Sequence, residues 1–210
     1  MNSTTVVTRI EELDKKRCKI YLNQEFAFAL YKGEIAQYKL KENTEVAVDI
    51  LNIIEKDILP KRAKKRCLNL LQKKAYTEYK LREKLKEGLY PQNIIEEAMV
   101  YVKSFHYIDD YDYAYQYIFY HKESETKRKI EEKLLQKGIS KDVLQKVLED
   151  SYCEEEYEEL ELKQAHRLLQ KKHYDSESMD WKEKQKIYSY LIRKGISTSI
   201  AKKTMSIRDK

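Results

Sequence analysis

Three glycines in the second part of the chain have the same arrangement of apolar residues around them. They lie in the triplets Glu87-Gly88-Leu89, Lys137-Gly138-Ile139 and Lys194-Gly195-Ile196. An apolar residue precedes each glycine by three positions, and others follow it by six and by ten positions. These residues are Leu85, Leu135 and Ile192 before the glycines, then Ile94, Leu144 and Ala201, and finally Ala98, Leu148 and Met205. Such repetition indicates tandem copies of one helical unit.

Each unit is predicted to contain a helix, a turn at the glycine and a second helix. Glycine adopts the left-handed backbone that closes a helix at little cost. Ser140 and Ser197 then stand where the N-cap of the next helix belongs, and Pro91 starts that helix in the first unit. A third helix is expected before each pair, over about 61–74, 110–122 and 155–172. The predicted fold class is mainly α, with three tandem three-helix repeats at 61–108, 109–150 and 151–210 that form an elongated, curved body.

Residues 1–60 follow a different pattern and are predicted to form a separate N-terminal module. The β-prone runs are Val6–Ile10, Cys18–Leu22 and Phe26–Leu30, with polar breaks between them. Their lengths and spacing predict a small antiparallel meander, which needs a helix to pack on. We expect that helix to begin at an N-cap of Asn43 or Thr44 and to end at Pro60.

Composition supports thin helical layers with large polar faces. Charged residues make up 37% of the chain and hydrophobic residues 41%, against about 25% and 45–50% in typical domains. The net charge of +6 is modest, but residues 61–86 hold eleven Lys and Arg against two acids. Residues 149–161 hold eight acids and no basic residue. This asymmetry predicts one face for an anionic partner and another for a basic one, unless both are ordinary solvated helix faces.

The candidate partner- or DNA-binding residues are cations of the basic segment and of the second repeat. They are Lys61, Arg62, Lys64, Lys65, Arg66, Lys73, Lys74, Arg82, Lys127 and Arg128. The many aromatic residues between Tyr101 and Tyr120 are candidates to stack on bases, although aromatic residues at helical spacing are more often core. Because alternate tyrosines on one helix cannot all be buried, some of Tyr111, Tyr113, Tyr115 and Tyr117 should face solvent or a partner.

No pattern typical of catalysis or metal binding is found. The sequence contains no Gly-rich phosphate loop, no nucleophile elbow and no HExxH motif. Cys18, Cys67 and Cys153 lack metal-ligand spacing and are expected to be reduced, as in cytoplasmic proteins. Asp109 and Asp110 are best explained as the cap of the following helix. With no signal-peptide or membrane-span pattern, we expect a cytoplasmic protein that is not an enzyme and has no cofactor or metal.

Three strings of the sequence together resemble the RecX family. They are RCLNLLQKKAYTEYKLREKLKEG (66–88), YIDDYDYAYQYI (107–118) and LLQKGIS (134–140). The resemblance covers residues 61–206 well and the N-terminus loosely, and it implies tandem three-helix units after an N-terminal extension. Two departures concern helix caps. Thr77 is followed by Lys80 where the family has Glu, so the capping box loses its carboxylate. The stretch 123–126 lacks the family's glycine, which leaves Ser124 or Thr126 as the cap.

The resemblance implies a regulator that lodges in the helical groove of the RecA–single-stranded DNA filament. Such a protein restrains the recombinase, ATPase and coprotease activities of RecA in DNA repair and the SOS response. The RecA filament is then the expected partner of a monomeric chain, with single- or double-stranded DNA as a second candidate ligand and no membrane contact. The basic segment 61–86 supports an alternative. The protein would then be a nucleic-acid-binding helical repeat protein that acts independently of RecA. A helical enzyme is a third hypothesis that no motif supports.

Overall fold

The computed structural model describes residues 4–206, except for the side chains of Glu154 and Glu155. The chain divides into two compact units, of which the first ends at Asp109 and the second begins at Asp110.

The first unit begins with a four-stranded antiparallel sheet. Its strands are β1 (Val6–Glu12), β2 (Arg17–Leu22), β3 (Glu25–Tyr31) and β4 (Thr44–Glu45), in the order β3-β2-β1-β4. A tight turn with left-handed residues at Asn23 and Gln24 joins β2 to β3, and the short helix α1 (Lys32–Gln37) follows β3. The three predicted strands are confirmed, whereas the sequence did not indicate β4.

The expected N-cap at Asn43 or Thr44 is wrong, because this segment pairs with the edge of β1. The Asn43 N–H donates to the Val7 carbonyl at 2.7 Å, and Thr44 lies in β4 opposite Val7. Asn43 itself is left-handed, with φ 59°. The next helix, α2 (Val48–Ile53), begins after an N-cap at Ala47. Backbone hydrogen bonds to a free strand edge thus prevail over the capping preference of the Asn and Thr side chains.

The expected helix end at Pro60 is also wrong. A π-helical turn, Ile54–Ile58, follows α2 and leads directly into α3 (Leu59–Leu71). Pro60 is the second residue of α3, where a missing N–H breaks no α-helical hydrogen bond. The wider turn before it also gives the proline ring room. The helix therefore crosses the 60/61 boundary, which as a domain limit stays a prediction.

The sheet and the first repeat share one apolar core. The repeat consists of α3, α4 (Glu78–Glu87) and α5 (Gln92–Ser104). Fully buried side chains come from the sheet and from the helices: Val7, Ile20, Phe28, Leu30, Ile54, Leu59, Leu81, Leu85, Ile95 and Met99. Each contributes about 1.5–3 kcal/mol by leaving water, so the module and the repeat stabilise each other.

The second unit contains two further three-helix repeats with a core each. Their helices are α6 (Asp110–His121), α7 (Lys127–Gln136) and α8 (Lys141–Ser151), then α9 (Glu154–Lys171), α10 (Trp181–Arg193) and α11 (Thr198–Met205). Ala114, Ile118 and Leu134 centre the core of the second repeat, and Leu191 and Ala201 lie in that of the third. The prediction of three tandem three-helix repeats after a small sheet is confirmed.

Two of the three marker glycines adopt the predicted left-handed conformation. Gly138 has φ 85° and Gly195 has φ 90°. Ser140 and Ser197 are the N-caps of the helices that follow, and each hydroxyl accepts a hydrogen bond from the N–H three residues later, at 3.3 and 3.4 Å. The shared string at these turns therefore produces the same turn twice.

The first repeat makes its turn differently, which corrects the expectation for Gly88. Gly88 has φ −76°, and the left-handed residue is Leu89 with φ 60°. Glycine is still required by space, because a Cβ at residue 88 would lie 2.8 Å from the Tyr90 ring and 3.1 Å from the Leu85 carbonyl oxygen. The glycine here permits close packing of an aromatic ring.

The remaining predicted caps lie at helix starts. The Thr77 hydroxyl accepts a hydrogen bond from the N–H three residues later at 3.2 Å, so the cap of α4 is kept without its carboxylate. Thr126, not Ser124, is the N-cap residue of α7, although its hydroxyl makes no cap bond. Asp109 directly precedes α6 and Asp110 is its first residue, where the helix dipole favours carboxylates.

Candidate interaction surface

Part of the basic segment is open to solvent. Lys65 and Arg66 are exposed on α3, and Lys73 is exposed just after it; these three form no ion pair within residues 4–206. Lys74 is also exposed, with its ammonium group 4.9 Å from the centre of the Tyr76 ring. These four cations, on α3 and just after it, form no ion pair among the described residues.

Arg62 lies at the joint between the sheet and α3 and is only 17% exposed. Its guanidinium donates to the Glu34 carboxylate at 2.7 Å and to the Ala29 carbonyl at 3.2 Å. Removing this side chain would take one donor from the Ala29 carbonyl and one from the half-buried Glu34 carboxylate, which also accepts from the Tyr31 N–H. Arg62 therefore holds β3 and α1 on the first repeat, and the predicted role in partner binding does not suit it.

Arg82 joins the last two helices of the first repeat. It forms ion pairs with Glu78 at 2.7 Å and Glu96 at 2.8 Å, and Lys103 donates to Glu78 at 2.8 Å. The hydrogen bond from Arg82 lowers the pKa of Glu96. Partial burial raises the pKa of Glu78, but its hydrogen bonds from Lys103 and Arg82 outweigh burial, and this pKa lies below its usual range. These carboxylates therefore stay ionised at neutral pH, and the Arg82 guanidinium remains paired with them.

Two more lysines of the basic segment are neutralised within the first unit. Lys61 pairs with Asp57 at 2.6 Å, and Lys64 pairs with Glu97 at 2.7 Å. The segment therefore presents less positive charge to a partner than its count of Lys and Arg suggests.

The last two candidate cations lie in the second unit. The Lys127 ammonium is 5.4 and 5.2 Å from the ring centres of Tyr152 and Tyr157, and burial raises the pKa of both phenols. Arg128 pairs with Glu132 at 3.1 Å on the exposed face of α7. The predicted binding residues are thus divided between the two units.

The acidic segment is largely engaged inside the second unit. Its ion pairs join Glu156 to Lys122 at 2.5 Å, Glu158 to Lys203 at 2.9 Å and Glu159 to Lys163 at 2.8 Å. Asp150 accepts a hydrogen bond from the Tyr111 hydroxyl at 2.6 Å, which raises the pKa of Tyr111 to about 12. The described acids of this segment therefore form a mixed charged surface and not an unopposed acidic face.

A polar joint between the second and third repeats was not predicted. The Gln164 amide, 8% exposed, donates to the carbonyls of Lys122 and Glu125 at 2.7 and 2.9 Å. The Thr126 hydroxyl donates to the Lys194 carbonyl at 2.6 Å, so this side chain connects the two repeats and makes no cap bond to α7. Both side chains satisfy backbone carbonyls at helix ends, groups that need partners when buried.

A buried acid in the third repeat was also missed. Glu161, 4% exposed, accepts hydrogen bonds from the Ser197 N–H at 2.5 Å and the Ser197 hydroxyl at 2.8 Å. This bond fixes the N-cap of α11 to α9. In the sequence, the only indication that Glu161 is buried is its position among the apolar residues of α9.

Exposed aromatic rings form a second type of surface. Phe105 contacts Tyr101 and Tyr107 with ring centres 5.0 and 5.7 Å apart, and Phe105 and Tyr107 are 56% and 49% exposed. In α6, Tyr115 and Phe119 are exposed. The prediction that one or more of the alternate tyrosines faces solvent is confirmed by Tyr115.

The described residues contain neither a metal site nor a membrane-spanning helix. Within residues 4–206, no three His, Cys, Asp or Glu side chains lie close enough together to hold a metal ion. Cys18 and Cys67 are buried and Cys153 is exposed, and burial raises the pKa of the Cys67 thiol to about 11. Among the described helices, none has the length and apolar character needed to cross a membrane.

Comparison with known proteins identifies the family. Family models match the RecX N-terminal domain at residues 5–47, the first RecX three-helix domain at 63–101 and the third at 158–205. A regulatory protein RecX from Clostridium acetobutylicum is 31% identical over 201 residues, which cover 92% of this chain and 91% of the relative. The chain belongs to the RecX family.

Other RecX proteins agree over similar lengths. A regulatory protein RecX from Clostridium beijerinckii is 29% identical over 205 residues, 94% of each chain. A crystal structure of regulatory protein RecX covers 96% of this chain and 99% of its own, with a TM-score of 0.65 and 25% identity. RecX from Lactobacillus salivarius shares the fold over 70% of this chain and 95% of its own, with a TM-score of 0.60 and 21% identity. The matched RecX segments coincide with the sheet, with α3–α5 and with α9–α11.

Proposed function

We propose that this RecX-family protein binds the filament that RecA forms on single-stranded DNA and restrains the recombinase, ATPase and coprotease activities of RecA. It acts in the cytoplasm by binding, without catalysis of its own. The observation that supports this most is the match to regulatory RecX proteins along nearly the whole chain, through the sheet and the repeats.

Four exposed cations on α3 and just after it are the proposed contacts. Lys65, Arg66, Lys73 and Lys74 are free of ion pairs, whereas Lys61, Lys64 and Arg82 are held by carboxylates of the same unit. A filament that contains DNA carries many phosphates, and exposed cations are attracted to such a surface.

The direct test is the ATPase activity of RecA on single-stranded DNA, titrated with this protein. We expect the rate to fall as the protein approaches the concentration of RecA subunits. Steeply salt-dependent DNA binding without any change in the RecA ATPase would favour the alternative, a nucleic-acid-binding protein that acts independently of RecA.

Charge reversal should locate the contact surface. The variant Lys65→Glu with Arg66→Glu should bind the filament at least tenfold more weakly, because two attractive contacts become repulsive. The matched control is Lys15→Glu with Lys41→Glu, which makes the same charge change at two exposed residues near the sheet. Equal affinities of the two variants would show that the basic segment is only a solvated face.

A further inference from the structure

A concave pocket lies in the first unit, where the sheet meets the first repeat. Its lining residues are Arg17, Tyr31, Arg66, Lys84, Glu87, Gly88 and Tyr90. Three of these side chains are cations and one is an acid, so the pocket has an excess of positive charge. The residues come from β2, β3, α3, α4 and the turn after α4, so that only the folded unit brings them together.

The cations of the pocket keep hydrogen-bond donors for a ligand. Arg66 is exposed and forms no ion pair among the described residues. Arg17 contacts Asp14 through Nε at 2.8 Å, and the Lys84 ammonium contacts Glu87 at 2.6 Å. Because a guanidinium has five N–H donors and an ammonium three, both side chains retain donors after these contacts.

The two tyrosines at the pocket are held in place by half-buried groups. The Arg62 guanidinium lies 4.6 Å from the ring centre of Tyr31 and 5.9 Å from that of Tyr90, and Glu34 fixes it at 2.7 Å. Gly88 lets the Tyr90 ring lie against the turn, where a Cβ would approach it to 2.8 Å. The pocket is therefore formed before any ligand arrives, which reduces the entropy cost of binding.

The Tyr90 hydroxyl adds a neutral donor. Burial raises the pKa of Tyr90 above its ordinary value, although Arg62 and Arg66 oppose this shift. The phenol therefore stays protonated at neutral pH. A neutral donor beside two arginines suits an anion that has several oxygen atoms.

The planar guanidinium of arginine can donate two parallel hydrogen bonds to a carboxylate or to a phosphate. Here two arginines, a lysine and a phenol surround one concavity, and together they offer more donors than the two oxygens of a carboxylate can accept. We propose that this pocket binds a phosphate group, with Arg66 as its principal contact. The source is a phosphodiester of nucleic acid or free phosphate. The inference concerns the protein alone and does not depend on the action on RecA.

The test uses the full chain without RecA and observes the arginine Nε–Hε resonances by NMR. Inorganic phosphate, an oligothymidylate and polyglutamate are the three probes. We expect phosphate and the oligothymidylate to shift the Arg66 resonance and to compete with each other. A shift with phosphate alone supports the pocket and assigns it to free phosphate. No shift with phosphate, or a response to polyglutamate only, would overturn the proposal.

Substitution provides a second readout, the anisotropy of a fluorescent oligothymidylate. Arg66→Gln should weaken binding roughly tenfold and lower the salt dependence by about one released ion. The control Lys41→Gln removes the same charge from an exposed residue of the first unit that lies outside the pocket, and it should change affinity less than about twofold. Equal losses of affinity for both variants would show that the oligothymidylate is held by general electrostatic attraction, which would refute the proposed site. Unchanged circular dichroism would show that Arg66→Gln folds normally.

Discussion

Replacing Gly195 with alanine should destabilise the third repeat strongly. Gly195 has φ 90°, and a left-handed backbone costs an L-residue about 1–2 kcal/mol. The added Cβ would also lie 2.6 Å from the Arg128 Cβ and 3.3 Å from the Thr126 hydroxyl oxygen. Relief of such overpacking typically costs about 1–3 kcal/mol more. The two effects together predict a loss of about 2–5 kcal/mol in the free energy of unfolding.

The assay is urea unfolding followed by the fluorescence of Trp181, the single tryptophan of the chain. It is the first residue of α10 and therefore reports on the third repeat. The control is Gly33→Ala, since a Cβ at residue 33 meets no atom within 4 Å. That change should leave the Trp181 transition where it is, and stabilise α1 by up to about 1 kcal/mol. If Gly195→Ala unfolds at the same urea concentration as the parent protein, the turn does not pack on α7 and the reasoning fails.

Three further predictions concern buried polar groups. Thr126→Val should cost about 1–3 kcal/mol, because the Lys194 carbonyl loses its donor while no cap bond is lost; urea unfolding measures it. Glu161→Leu should cost a similar amount, about 1–3 kcal/mol, because the Ser197 N–H loses its acceptor; hydrogen exchange at that amide should accelerate. The Cys67 thiol has its pKa raised from 9.0 to about 11 by burial, so its contribution to stability is complete below pH 9 and is lost as pH rises towards 11. The stability difference between the parent protein and Cys67→Ala should shrink over that range in urea titrations.

Control variants separate these effects from a nonspecific loss of stability. Ser124→Ala removes an exposed hydroxyl that contacts only a carbonyl of its own turn, so it should change stability by less than about 0.5 kcal/mol. If it costs as much as Thr126→Val, the joint between the repeats is not the cause. For the thiol, a stability difference that is constant from pH 8 to 11 would show that Cys67 does not titrate as proposed.

The repeats could be predicted from the sequence because their signals are local. A left-handed residue at Gly138 or Gly195 and an N-cap at Ser140 or Ser197 depend on the few residues around them. Such preferences act in the same way wherever the string recurs. The strands of the meander were predicted for the same reason, since β-prone runs and polar breaks are properties of short segments.

Local preference failed where another segment competed for the same backbone. Asn43 and Thr44 pair with β1 instead of capping a helix, and Pro60 is tolerated after a π-helical turn. At Gly88 the left-handed residue moved to Leu89. In the first two cases a long-range contact or a change in helix geometry outweighed a preference of about 1–3 kcal/mol, and at Gly88 the close packing of the neighbouring Tyr90 ring did so.

By itself, the sequence determined the class of fold and the number of repeats, because these follow from periodic and local patterns, and three of its strings resemble the RecX family. Only the tertiary structure decided which charges are free, since an ion pair depends on the distance between side chains that are far apart in sequence. Arg62 is half-buried against Glu34, whereas Arg66, four residues later, lines a pocket that also contains Arg17. The two arginines have the same chemistry and lie one helical turn apart. The packing of the sheet on α3 engages Arg62 in an ion pair within the fold and leaves Arg66 exposed at the pocket.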